Sequence, residues 1–148
     1  MKLELDSLEK SKLDGLDLHR AILNRTDLSG SSLVGTNLRG AELKQSNLSG
    51  TNLTRALLMV SLFENSNLES SNLTKAFLAG ADFSHANLSN AILLEADVWN
   101  ANFKCANLRG ANMLCHRIED IKLQGALFDT NTIWPTFFNP LEYGAIKI

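Results

Sequence analysis

An apolar side chain recurs at every fifth position of this chain, without a skip, from Leu3 through Ile133. Two residues before each of these centres, every slot from Ala21 to Ala111 holds only Ala, Ser or Thr, and most of the residues in between are Asn or Asp. No regular element turns such a period into one stripe. A helix rotates residues five apart by about 140° around its axis, and a strand sends them to opposite faces. The chain must therefore turn at every repeat, and a fixed-period repeat sets the architecture before any other signal.

If each five-residue unit forms one side of a square, its central Leu or Phe points inward. The residue two before it also points inward, at a corner that admits only a small side chain. Asn and Asp beside the corner bond nearby backbone and support the turn, while Gly30, Gly35, Gly40, Gly50, Gly80 and Gly110 tolerate positive φ. Coils stacked at about 4.8 Å make a rod of about six to seven coils, roughly 30 Å long. Each interior Leu contributes about 1.5–3 kcal/mol by burial, and stability accumulates from neighbour to neighbour. Residues twenty apart then stack, so Phe63, Phe83 and Phe103 form a ladder on one interior wall, between Leu43 and Leu123.

Runs such as Ala81-Asp82-Phe83-Ser84-His85, Ala86-Asn87-Leu88-Ser89-Asn90 and Ala106-Asn107-Leu108-Arg109-Gly110 resemble the pentapeptide repeat family, and the resemblance covers most of the chain. It implies an all-β fold, a right-handed quadrilateral β-helix with turn-like sides. The spacing of Thr132, Trp134, Pro135, Phe138, Pro140, Gly144 and Ala145 is similar to the tail of many cyanobacterial members. One repeat domain is expected over 1–148. Residues 1–15 form an irregular or short helical N-terminal cap, because Met1, Asp6, Ser11 and Leu16 suit the corner slots poorly. Repeat coils run over 16–133, with His116 and Ile121 in corner slots marking a distorted last full coil. Residues 134–148 form a C-terminal cap, in which Asn139 caps a short helix beginning at Pro140 and the aromatics plug the last coil; a dimer contact is the alternative. The open ends of a solenoid need such covers.

The composition fits this frame. A chain of 148 residues with 45% hydrophobic and 20% charged residues makes one globular domain. A formal net charge of −2 gives no broad attraction to nucleic acid, so no direct nucleic-acid ligand is expected. The start places Glu4 and Asp6 where a signal peptide needs an apolar core, and no stretch approaches the roughly 18 apolar residues of a membrane span. The expectation is a cytoplasmic protein that does not enter a membrane. Cys105 and Cys115 fall two sides apart, too far for a disulfide, and read as free thiols of a reducing compartment.

Catalysis needs an acid, base or nucleophile held by an orienting partner in a pocket, and a filled solenoid offers little concavity. His19 and His85 occupy outward positions on different sides. Cys115 and His116 are adjacent but face differently, with no second pair at metal-ligand spacing. No enzyme activity, cofactor or metal is expected. The informative exceptions are outward apolar residues. Leu57, Met59 and Val60 lie one coil below Phe77, with Trp99 in the next coil and Leu62 on the following side. The preceding side carries Ile92, Leu94 and Leu114, with Trp134 continuing the Leu94 and Leu114 column. Arg55 and Lys75 stack beside this patch, and Arg20, Arg39, Asp97 and Glu119 rim it.

The resulting expectation is a non-enzymatic interaction scaffold that docks an unidentified protein partner and is a monomer or weak homodimer. The resemblance also implies an alternative, a DNA mimic acting on type II topoisomerase. Charge counts against it, with 11 acidic and 10 basic residues from Asp17 to Asp129. A purely structural role is the third reading.

Overall fold

The computed structural model describes residues 7–148. Each five-residue side makes a parallel bridge at its second position with the residue twenty further on, as in Ser7 to Asp27, Asp27 to Asn47 and Asn47 to Asn67. Four sides therefore complete one coil. Three backbone bonds tie a side to its upper neighbour: Leu28 N–H donates to Asn47 O (2.7 Å), Gly30 N–H to Ser49 O (2.9 Å) and Asn47 N–H to Thr26 O (3.1 Å). A turn bond from Ser31 N–H to Leu28 O (3.1 Å) closes the corner. The fifth residue of nearly every side has positive φ, whether Gly30 (65°), Asn65 (59°), Arg25 (61°) or Val60 (52°), as the third position of a type II turn requires.

The centres from Leu18 to Phe128 are buried, and so are the small corner residues from Ala21 to Ala111. Most corner hydroxyls find carbonyl acceptors, such as Leu23 O for Ser46 Oγ (2.6 Å) and Leu48 O for Thr51 Oγ1 (2.7 Å), whereas the buried Ser71 Oγ has no partner. Phe63, Phe83 and Phe103 stack nearly parallel at 4.8 and 5.2 Å, as the twenty-residue register predicts. On one outer side a ladder of amides climbs the rod. Asp27 accepts from Asn47 Nδ2 (3.3 Å), Asn47 from Asn67 (3.4 Å), Asn67 from Asn87 (3.2 Å) and Asn87 from Asn107 (3.0 Å).

Four expectations are corrected. The irregular cap does not extend over 7–15, because Ser7 and Lys12 already bridge Asp27 and Ser32 in the repeat register; residues 1–6 lie outside the described part. Cys115 rather than His116 fills the corner slot. Asp97 bridges His116, nineteen residues on, and the chain recovers the lost residue through Arg117 (φ 57°) and a 3₁₀ turn over Ile118–Asp120 before Ile121 takes the next corner. A second slip follows: Asn112 bridges Ile133, twenty-one residues on, so Thr132 is buried and Ile133 is 49% exposed, ending the apolar stripe at Phe128. Trp134 consequently leaves the Leu94 and Leu114 column and packs against the core.

At this end Leu127–Phe128 (β1) pairs in parallel with Ile146–Lys147 (β2). Trp134 meets Phe128 edge-on at 5.8 Å and stacks on Phe138 at 5.5 Å, and Phe138 lies 4.6 Å from Tyr143. A 3₁₀ helix over Pro140–Tyr143 starts where Asn139 Oδ1 accepts from Leu141 N–H (3.2 Å). No helix of the described residues is long and apolar enough to cross a membrane.

Candidate interaction surface

The twenty-residue register brings most of the outward apolar residues together. Leu57 bridges Phe77 and Phe77 bridges Asp97, so these three occupy one column. Backbone bonds from Val60 to Ala79 and from Gly80 to Trp99 set Met59, Ala79 and Trp99 in a second column and Val60 and Gly80 in a third. Val60 is 55%, Phe77 45% and Trp99 48% exposed, while Leu57 and Met59 are half-buried between their neighbours. Ile92 and Leu114 stand exposed on the preceding side with Leu94 half-buried, and residues 91–95 run directly into 96–100 around one corner. Leu62 is half-buried on the following side, where it bridges Glu42 and Asp82.

The register slip at Cys115 adds a residue that sequence reasoning missed. It presents Arg117 to the coil below, where Nε donates to Asp97 Oδ1 (2.7 Å), a second guanidinium nitrogen bonds Asp97 Oδ2, and the guanidinium carbon lies 5.4 Å from the centre of the Trp99 ring. Partial burial opposes ionisation of Asp97. The Arg117 bond, the Trp99 N–H at 3.2 Å and the charges of Arg117 and His116 outweigh it and hold the carboxyl below its ordinary range. The only clue in the sequence was the loss of small residues after Ala111, which gave no hint that Arg117 would turn back onto Trp99. Of the predicted rim, Lys75 pairs with Glu95 (3.3 Å), and Arg20, Arg39, Arg55 and Glu119 are exposed.

The remaining candidates for chemistry stay apart. His19 and His85 are exposed on different sides. Cys105 is exposed, whereas Cys115 is buried and its thiol is pushed up to about 12, chiefly by that burial. Among the described residues no group of three His, Cys, Asp or Glu could hold a metal. An open hollow of about 300 Å³ is lined by Ser89, Asn90, Arg109 and Asp129. There the Asp129 carboxylate is already occupied by N–H donors of Gly110 (3.0 Å), Asn131 (3.0 Å) and Thr132 (3.1 Å).

In sequence, pentapeptide repeats match this chain in eight copies, over residues 7–40, 21–58, 61–93 and 81–113. The chain belongs to the pentapeptide repeat family. Among solved structures of the family it is similar to a pentapeptide repeat protein (Rfr23) from the cyanobacterium Cyanothece 51142, with 28% identity, coverage of 84% of this chain and 91% of that one, and a TM-score of 0.61. It is also similar to QnrB1, a plasmid-mediated fluoroquinolone resistance protein, with 22% identity, coverage of 84% and 67%, and a TM-score of 0.50. A pentapeptide repeat protein from the thylakoid lumen of Arabidopsis thaliana aligns at 24% identity over 85% of this chain and 70% of that one, with a TM-score of 0.49. Membership makes the stacked coils a right-handed β-helix. No curated protein matches the chain. None of these matches indicates an enzyme family.

Proposed function

We propose that this member of the family is a non-enzymatic interaction scaffold, a rod of about six to seven coils closed by the tail over 134–148, that docks a protein partner through the side holding Phe77 and Trp99. One observation carries the reading. On a rod whose other sides present mainly Asn, Ser, Thr and charged groups, Val60, Phe77 and Trp99 stand half exposed in three successive coils of one side. Large apolar and aromatic side chains in such a cluster are the usual anchors of protein interfaces. The backbone beneath them is bonded on both edges, so the surface is ordered before contact and binding costs little conformational entropy.

DNA mimicry has less support. The likeness to QnrB1 concerns the fold, and a net charge of −2 spread over both signs is a poor competitor for polyphosphate. The test is a crosslinking pull-down from lysate of the native cells, comparing the wild-type chain with a Phe77→Asp, Trp99→Asp double variant of unchanged melting temperature. A protein recovered with the wild type and lost with the variant is the expected result. Equal recovery from both, or none from either, would remove this docking side.

A further inference from the structure

We propose that the occupant of this side is a second copy of the same chain, packed face to face and antiparallel about a twofold axis; the proposal rests on the docking reading above and names its partner. The side has six levels, which begin at Asp17, Asn37, Leu57, Phe77, Asp97 and His116. A twofold axis in the contact plane and perpendicular to the rod keeps each column and inverts its order. The first level then meets the sixth, the second the fifth and the third the fourth.

Each column is complementary to itself under that operation. In the middle, Leu57 meets the second copy's Phe77, while Met59 falls opposite Ala79 and Val60 opposite Gly80, large against small. One level out, Arg39 faces the edge of Trp99, whose ring already carries the Arg117 guanidinium, and Asn37 faces Asp97, which Arg117 already holds. At the ends, His19 and Arg20 face the acidic turn of Glu119 and Asp120, and Asp17 faces His116. With Asp17 offsetting only part of Arg20 and Arg39, the lower end keeps a basic excess, and with Arg117 neutralising Asp97, the upper end keeps the acidic excess of Glu119 and Asp120; these excesses meet opposite charge only when the order is reversed. A parallel pairing would gather Arg20 and Arg39 of both copies at one end and Glu119 and Asp120 of both at the other. At the edge the third level meets the fourth, so Arg55 falls opposite Lys75 of the second copy, a like charge that the Lys75–Glu95 pair (3.3 Å) partly neutralises.

Five rises of about 4.8 Å make the side roughly 24 Å tall, and two such faces bury about 1,000 Å² in total, near the lower bound for a specific interface. A weak dimer that dissociates on dilution in the micromolar range is the expected result.

Sedimentation velocity of the purified full chain from about 1 to about 500 μM tests this. Expected are a dimer fraction that rises with concentration in wild type, a monomer throughout for Phe77→Asp, Trp99→Asp, and association weakened about tenfold in Arg20→Asp and in Asp120→Arg taken alone. An equimolar mixture of these last two variants regains association, because each end again sets opposite charges together. A wild-type chain that stays monomeric to the highest concentration, a dimer indifferent to the apolar pair, or a mixture without rescue overturns the proposal. If wild type is monomeric while the pull-down still loses a protein with the double variant, the docking side stands and its occupant is another protein. If neither measurement responds, both readings fall.

Discussion

The residue that fits its own backbone least well is Val60. The fifth position of a side turns through positive φ, where Gly is free and Asn is well tolerated, and the chain places Gly or Asn there repeatedly, including Asn65, Asn90 and Asn100. Val60 adopts φ 52° with a branched Cβ that this region disfavours, and it does so while 55% exposed. Gly80, one coil above, leaves room for it: a Cβ on Gly80 would meet Val60 Cγ1 at 3.2 Å. Burial within the chain therefore does little to offset the strain, which accords with the docking side proposed above. Val60→Asn should stabilise the monomer by about 1 kcal/mol, raising its melting temperature by roughly 2–4 °C while weakening self-association. Thermal melts in dilute solution check this, and an unchanged or lower melting temperature would mean that packing against the coil already outweighs the left-handed strain. The sequence made Gly legible as a turn residue. It did not reveal that Arg25, Gln45 and Val60 take the same conformation, because the turn is imposed by stacking rather than by the residue that occupies it.

At the scale of elements, the amide ladder couples the coils to pH through its lowest member. Asp27 accepts from Ser29 N–H (2.9 Å) and from Asn47 Nδ2 (3.3 Å), and the bonds from Ser29, then from Asn47, hold its carboxyl below its ordinary value of 3.8. A carboxyl depressed in the folded state contributes stability that is complete above the unfolded value and is lost as pH falls through the lower, folded one. Asp14, Asp82, Asp97 and Asp129 are depressed as well, so the rod should lose stability as pH falls below about 4. Asp27→Asn should keep the fold at neutral pH, since Asn67 accepts the same two kinds of bond from Glu69 N–H and Asn87. It should also make the acid limb shallower. Denaturant titrations between pH 2 and pH 7 read the difference, and an acid limb unchanged in the variant would show that Asp27 is not linked to folding. Side, corner and interior ladder were all readable from the five-residue period. The slips at Cys115 and Ile133 were not. Ile118, Leu123, Phe128 and Ile133 keep perfect apolar spacing, and a residue lost at one corner and regained in the Ile118–Asp120 turn leaves no trace in that spacing.

For the whole molecule, two periods have two different consequences. The core repeats every five residues, because every side offers an apolar centre and a small corner, whereas the surface repeats every twenty, because only then does one outward residue lie above another. This is why the fold was legible and the surface only partly so: four of the nine patch residues, Leu57, Met59, Leu62 and Leu94, are half covered by the coils around them, and Trp134 turned inward. The two periods can be separated by deleting one side, residues 66–70. The five-residue phase survives, so Leu and Phe centres still stack and the Phe83 and Phe103 contact is retained. Above the deletion every column shifts by one side, which places Asp82 rather than Phe77 over Leu57, and Ser84 rather than Ala79 over Met59. The shortened chain should fold cooperatively with a modestly lower melting temperature, since one nearest-neighbour unit of a solenoid is lost, and it should lose both self-association and partner capture. Circular dichroism with sedimentation reads the two properties separately. A shortened chain that unfolds would mean that the twenty-residue ladders of Asn and Phe, not the five-residue side, are the unit of stability. One that folds and still associates would mean that the contact surface does not depend on the alignment of Leu57, Phe77 and Trp99.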